Sequence, residues 1–485
     1  MTEQEFDIGV IGGGSAGLTV AAGAAQLGAK TLLIEKESVL GGDCLHYGCV
    51  PSKTLIKTAN TYHLMKHAKR YGLPEMELKP VDFRDVAKRI QSVIQIIQKH
   101  DSEERFCSLG AKVVFGDVSF TDENTVQVNG RSCSAKTWVI ATGSSPAVPP
   151  IKGIENTPYI TNRDIFSLEK LPESMMMIGG GPIACEMAQA FCRLGTRVSV
   201  IEVADQILIK EDPDMAQEVM NRMQFEGVTF YLQARINNIQ DLGNEREVIF
   251  TTPEHPEPIH LRAETLLVAA GRTANVKGLG LENIGIEFDR RGIKVDERLR
   301  TTTHKHIYGA GDVNGAYQFT HTAGYEGGIV IRNAIFHLPA KANYSLMPWC
   351  TYTDPELASI GMNEKAAKES GIEYSLWTEP FIRNDRSLAE GEETGMIKML
   401  LDRHDKPIGI QILGPHAGEL VSEWVAVMNG KVKLSTVASA VHPYPTLGEI
   451  NKRVIGNMFA RKLYSEKVKK GLKFFFNLRG RACGL

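Results

Sequence analysis

Two stretches of the chain share one pattern of apolar and polar positions. In FDIGVIGGGSAGLTVAAGAAQLGAKTLLIEKE, an apolar run over residues 8–11 leads into Gly12-Gly13-Gly14-Ser15-Ala16-Gly17, then an alanine-rich stretch, then a second apolar run ending on Glu35. In SMMMIGGGPIACEMAQAFCRLGTRVSVIEVA the order repeats, with Gly179, Gly181 and Ala184 in the small-residue positions and Glu202 at the end. Each copy predicts strand, tight turn, helix and strand. Elsewhere Val86, Ile90, Val93, Ile94 and Ile97 recur at helical spacing and predict one packed helix over 81–108. Short strands are expected at 112–115 and 125–128, separated by the turn residues Asp122 and Asn124. From Met347 to about Arg461 strands and helices alternate.

The glycine patterns carry chemistry in this context. Gly12 makes the tight turn, Gly14 admits a pyrophosphate to the backbone, Gly17 lets helix and strand approach, and Glu35 can accept from a ribose hydroxyl. Gly179, Gly181, Ala184 and Glu202 repeat those places, so two dinucleotide sites are implied. An acidic residue at the second strand end favours NADH over NADPH, because a 2′-phosphate would meet a like charge. Arg197, ahead of that strand, reads as a surface charge.

Between the copies stands GGDCLHYGCVPSK, residues 41–53. On a regular helix Cys44 and Cys49 would hold their Cα atoms about 8–9 Å apart, beyond the ~7 Å reach of a disulfide. Gly48 therefore reads as a break that lets the pair close into a reducible bond. The alternative, two unrelated buried thiols, is weighed against by the dinucleotide motif immediately upstream. Cys185 and Cys192 fall seven apart on one helix face and read as packing thiols, as do Cys107, Cys133 and Cys350. None shows a metal-site spacing with histidine, so no resident metal is expected.

These motifs, with Ala141-Thr142-Gly143-Ser144 and Gly309-Ala310-Gly311-Asp312, resemble the flavin-dependent pyridine nucleotide-disulfide oxidoreductases, the family of dihydrolipoamide dehydrogenase, glutathione reductase and mercuric reductase. The likeness runs from about residue 5 to about residue 460. It implies an α/β chain with two Rossmann-like domains, for FAD and NAD, and an α+β dimerisation domain. The expected divisions are 1–145 and 276–344 for FAD, 146–275 for NAD, 345–461 for dimerisation, and a basic tail at 462–485. The second domain is entered through 145–150 and left at Ala270-Gly271-Arg272-Thr273. The resemblance implies that Cys44 exchanges with substrate and Cys49 contacts the flavin. It implies that Lys53 and Glu186 pair beside the flavin ring, that Thr142 and Gly143 close the first half of the flavin domain, and that Asp312 binds the ribityl chain. It also implies a homodimer, whose last domain reaches the partner's active site.

One segment departs from the family pattern. His442-Pro443-Tyr444-Pro445-Thr446-Leu447-Gly448-Glu449 places Tyr444 where dihydrolipoamide dehydrogenase and glutathione reductase have a histidine, five residues before the orienting Glu449. Exchange with an organic disulfide needs a group that transfers protons near neutrality, which a phenol with a pKa of ~10 does poorly. Tyrosine there resembles mercuric reductase, whose metal-ion substrate needs ligands more than a proton donor. His442, two residues earlier, offers an imidazole instead. The reading is an FAD-dependent NAD(P)H oxidoreductase acting on a disulfide or metal ion; dihydrolipoamide dehydrogenase and a low-turnover flavin redox sensor are the alternatives.

Composition alters little. The 485 residues are 43% hydrophobic and 23% charged, with a net charge of −2, ordinary for a globular chain and giving no global attraction to nucleic acid. The first strand follows MTEQEFDIGV with no room for a signal peptide, and no apolar run reaches the ~18 residues of a membrane span, so a cytoplasmic enzyme is expected. From Arg461 onward eight basic residues face Glu466 alone, with Leu472, Phe474, Phe475, Phe476 and Leu478 interleaved. Two readings of this tail stand open: a helix packed on its own dimer, and a segment that binds an anionic membrane surface, placing the enzyme peripherally on the membrane's inner face. Cys483 reads as a relay or as an ordinary exposed thiol.

Overall fold

The structure, a computed structural model, describes residues 4–480; Arg481 and Cys483 lie outside them. It divides into two units. One comprises residues up to Leu208 together with Met223–Tyr344, the other Ile209–Arg222 together with the chain from Ser345 onward.

In the first unit, Ala111–Phe115, Thr31–Glu35, Phe6–Ile11, Arg131–Ile140 and Ile307–Gly309 form parallel neighbours in that order. Such a sheet is apolar on both faces, and successive residues divide between two cores. Val10, Leu33 and Val139 pack with Val20, Ala21 and Val330 from the helices Ser15–Gln26 and Thr320–Ala334. Ile11, Leu32, Ile34, Trp138 and Ile140 pack on the other side with Phe120, Val126 and Leu281.

A second parallel sheet runs Thr229–Tyr231, Arg197–Ile201, Ser174–Ile178, Thr265–Val268. A three-stranded antiparallel sheet, Arg235–Asp241, Arg246–Thr251 and Ile259–Ala263, belongs to the same stretch of chain. Ser144–Pro146 pairs antiparallel with Arg272–Ala274. The segments that lead into and out of residues 147–271 are thus hydrogen-bonded to each other.

The expected helix over 81–108 is broken. Phe83–Gln98 is followed by a tight turn at Lys99–Asp101 and a new helix, Glu103–Ser108, because the Ser102 hydroxyl accepts from Arg105 N and caps a fresh start. Among the strands that went unread are Val118–Asp122 and Arg131–Ile140. The polar Arg131-Ser132-Cys133-Ser134 lies in an antiparallel ladder with one wet face, so it lacks an apolar run. Of the presumed packing thiols, Cys133 and Cys185 are buried; Cys107 is exposed, on the outer side of the short helix Glu103–Ser108.

The second unit is a five-stranded antiparallel sheet in the order Pro348–Thr351, Glu356–Gly361, Pro407–Gly414, Met396–Leu401, Ser375–Pro380. The helices Ala417–Asn429 and Glu449–Leu463 cover it, joined by Trp424 Nε1 donating to Asn451 Oδ1 at 2.8 Å. Lys398, buried in this unit, is held by Asp212, Asp214 and Glu364 at 3.2, 2.7 and 3.0 Å. Among the described residues no helix is long and apolar enough to cross a membrane.

Candidate active site

Each glycine turn is shaped by what a side chain would strike. Gly12 has φ +110°, and a Cβ there would lie 2.3 Å from Ala141 O; Gly179 has φ +109°, with Ala269 O at 2.5 Å. At Gly14 the nearest atom to such a Cβ is 3.9 Å away, and at Gly181 nothing lies within 4 Å. The first pair must be glycine for the fold, whereas the second pair leaves open space. That space faces the starts of Ser15–Gln26 and Pro182–Leu194, neither of which has a side-chain cap. Free backbone N–H groups at a helix start, with room in front, fit the pyrophosphate of a bound dinucleotide.

The acidic residues repeat as closely. Glu35 accepts from Gly13 N at 2.5 Å and from Glu37 N at 2.8 Å; Glu202 accepts from Gly180 N, and from Ala204 N at 2.8 Å. Gly17 and the fully buried Ala184 lie where their helices meet the strands. Thr142 donates to Asn275 O at 2.7 Å, Gly143 follows it, and Gly271 stands at the exit of the inserted segment. Asp312 accepts from Ser144 Oγ at 2.6 Å, and burial raises its pKa. Gly311 N donates to Glu326 Oε2 at 2.6 Å.

Cys44 and Cys49 do not share a helix. Cys44 lies in Gly42–His46 and Cys49 opens Cys49–Lys66, with Tyr47 and Gly48 between. A Cβ on Gly48 would come within 3.0 Å of Asp43 O and 3.1 Å of Cys44 Cα, so the close return of the chain depends on glycine. Both sulfurs are free thiols, hydrogen-bonded to each other. That bond, with burial, pushes the Cys44 pKa far up. The same bond, helped by the Thr320 hydroxyl 3.5 Å away and by the charge of Lys53, draws Cys49 down to about 6 against the opposing effect of burial. Lys53 Nζ is 2.7 Å from Glu186 Oε2, which is nearly inaccessible to solvent.

Several partners were not legible in the sequence. Thr320 touches Cys49 from the start of Thr320–Ala334. Arg272 reaches Asp43, next to Cys44, at 3.0 Å and Ser144 Oγ at 2.7 Å, while Asn162 Nδ2 donates to Tyr47 O at 2.9 Å. Glu326, 1% exposed, also accepts from Asn314 at 3.0 Å and Tyr344 at 2.6 Å. Burial raises its pKa to about 7 in spite of these donors.

In the second unit, Tyr444 is 69% exposed and donates to Asp385 Oδ2 at 2.9 Å. That carboxylate, with Glu449 beyond it, raises the phenol's pKa. His442 Nε2 lies 3.0 Å from Glu423 Oε1, and its buried Nδ1 has no partner among the described residues. Glu449, at the head of Glu449–Leu463, likewise has a buried, unpartnered Oε2.

Residues 6–327 match the family described as pyridine nucleotide-disulphide oxidoreductase, and residues 347–454 match its dimerisation domain. The chain belongs to this family. It is 32% identical to a dihydrolipoyl dehydrogenase of Bacillus subtilis, over 92% of this chain and 96% of that one. It is also 32% identical to a mercuric reductase of Bacillus cereus, over 92% and 70% of the two chains. The solved Cu(II) complex of the HOCl-induced flavoprotein disulfide reductase RclA from Escherichia coli superposes with a TM-score of 0.84 at 26% identity, covering 94% of this chain and 100% of that one. The family binds FAD and uses NAD(P)H, and its members are oxidoreductases acting on disulfides or metal ions. The open glycine turns and uncapped helix starts described above fit both dinucleotides.

Proposed function

We propose that this protein is an NADH-dependent reductase of a thiophilic metal ion, Hg(II) or Cu(II), working through the Cys44–Cys49 pair. FAD, when bound, supplies the two-electron relay between NADH and the sulfur pair. Gly12, Gly14, Gly17, Glu35, Thr142, Gly143, Gly311 and Asp312 would hold it; Gly179, Gly181, Ala184, Glu202 and Gly271 would hold the nicotinamide dinucleotide. The Cys44 thiol, Thr320 and Lys53 all favour the thiolate form of Cys49. Glu186 holds Lys53 in place. Cys44 gives up its proton only when Cys49 stops accepting it, so the reduced pair keeps one proton until an acceptor arrives. A thiophilic cation displaces that proton to solvent and binds both sulfurs; the pair then gives up two electrons, to one Hg(II) or to two Cu(II) in turn, and closes into the Cys44–Cys49 disulfide.

The observation that carries this reading is the bond from Tyr444 to Asp385. A phenol whose pKa is raised by a carboxylate is a poor proton carrier at neutral pH, and a metal-ion acceptor needs none. The relatives include a mercuric reductase, and the similar RclA structure is a Cu(II) complex, in line with such an acceptor. We further propose a homodimer formed by residues 345–461, in which His442, Tyr444 and Glu449 serve the partner's pair. The half-buried His442–Glu423 pair favours a second reading, in which that imidazole supports exchange with an organic disulfide.

The test is steady-state NADH oxidation by the flavin-loaded protein with Hg(II), Cu(II), lipoamide, glutathione disulfide and coenzyme A disulfide. A metal ion should exceed every disulfide in kcat/KM by at least ~100-fold, the usual worth of the missing acid-base group. Rapid turnover of lipoamide would replace this reading with dihydrolipoamide dehydrogenase.

A further inference from the structure

The segment after the dimerisation domain forms a helix, Glu466–Phe476, in which no residue is buried. Val468, Leu472, Phe475 and Phe476 are spaced i, i+4, i+7 and i+8, and so make one apolar stripe. Phe475 and Phe476 are 77% and 70% exposed. Lys469 and Lys473 border the stripe on one side and Lys467 on the other; Lys470 lies opposite. Glu466 is the only acidic residue of the helix, and it is engaged by Lys469 at 2.8 Å.

A helix this short, with Gly471 in its interior, is marginal in water without a surface to lie on. What that surface is follows from the cations. A protein groove would cover the phenylalanines and leave a ring of lysines to be solvated or repelled. A sheet of anionic headgroups over an apolar interior takes both: the stripe enters the acyl boundary while lysines on either side reach up to phosphates.

We propose that Glu466–Phe476 is a membrane-surface anchor that binds anionic lipid, lying in the plane of the interface. The anchor depends on neither the electron acceptor nor the chemistry of the cysteine pair, so it stands or falls separately from the proposed activity.

The experiment is co-sedimentation of the full-length, flavin-loaded protein with vesicles of phosphatidylcholine alone or mixed with phosphatidylglycerol. Three proteins are compared: wild type, Leu472→Ser/Phe475→Ser/Phe476→Ser, and Lys467→Gln/Lys469→Gln/Lys473→Gln. The wild type should partition at least tenfold more strongly onto the anionic vesicles, and high salt should remove most of that preference. Both triple variants should lose at least tenfold in partitioning while keeping NADH-dependent turnover and oligomeric mass. Equal binding to the two lipid mixtures would overturn the proposal. So would a wild type that ignores vesicles, or a serine variant whose dimer dissociates in analytical ultracentrifugation, which would assign the stripe to a second copy of the chain.

Discussion

Lys53 Nζ and Glu186 Oε2 meet at 2.7 Å, tying the helix that opens with Cys49 to the helix that follows the second glycine turn. One end of this ion pair is buried and the other is about one-third exposed. Beside the larger effect of the Cys44 thiol, the charge of Lys53 lowers the Cys49 pKa, while that of Glu186 works the other way.

Lys53→Met should therefore raise the Cys49 pKa from about 6 by ~1 unit, the effect of removing a nearby opposite charge. Below its pKa the thiol is protonated and slow, above it the thiolate is fast. The pH midpoint of iodoacetamide alkylation in the reduced protein reads this directly. An unmoved midpoint would mean that Lys53 does not act on the sulfur.

Tyr444→His should increase lipoamide turnover by a factor on the order of 10², with Glu449 Oε2 free to orient the new imidazole. Flavin reduction by NADH should not change. His442→Ala discriminates: if wild-type lipoamide turnover is fast and collapses in that variant but survives Tyr444→Phe, the His442–Glu423 pair carries the proton.

NADH should be preferred to NADPH by at least tenfold in kcat/KM, about 1.4 kcal/mol, because Glu202 closes the second glycine site with a carboxylate. Glu202→Ala should shrink that ratio. Parity between the two cofactors in the wild type would remove the assignment.

Glu326 links stability to pH. Its folded pKa of about 7 lies above the unfolded ~4.3, so the favourable contribution of the protonated form is complete below the unfolded value and is lost as pH rises through 7. Glu326→Gln keeps a neutral side chain at every pH. Relative to wild type it should gain about 3 kcal/mol between pH 4 and pH 8, read as a pH-dependent shift in the urea midpoint. Parallel pH profiles for the two proteins would show that Glu326 stays charged.

The glycine turns and the cysteine pair were legible because backbone geometry and chemistry restrict each position to very few residue types. Only glycine satisfies φ +110° at Gly12, and only a break such as Gly48 lets the chain return onto Cys44. Thr320, Arg272, Asp385 and Glu423 carry no such restriction. Thr320 meets Cys49, and Arg272 meets Asp43, across more than two hundred residues of chain, and a single threonine or arginine in a loop looks like any other until the fold assembles it. Asp385 was equally hidden, so Tyr444 could be placed by its distance from Glu449 but its hydrogen-bond partner could not. The helix over 81–108 failed for a local reason, since apolar spacing continues across the point where Ser102 restarts the backbone.

The ladder between Ser144–Pro146 and Arg272–Ala274 has a bearing on how such a chain could arise. The chain departs at residue 147 and returns at residue 271 side by side, while the segment between is also tied to other parts of the chain, through Glu186 to Lys53 and through Asp212 and Asp214 to Lys398. A duplicated copy of the first glycine-turn unit, spliced into a single surface loop of its parent, would have needed no new path through the parent's core. Cutting the inserted segment out across the ladder would leave the strand order of the first sheet but strip Lys53 of Glu186 and the buried Lys398 of Asp212 and Asp214.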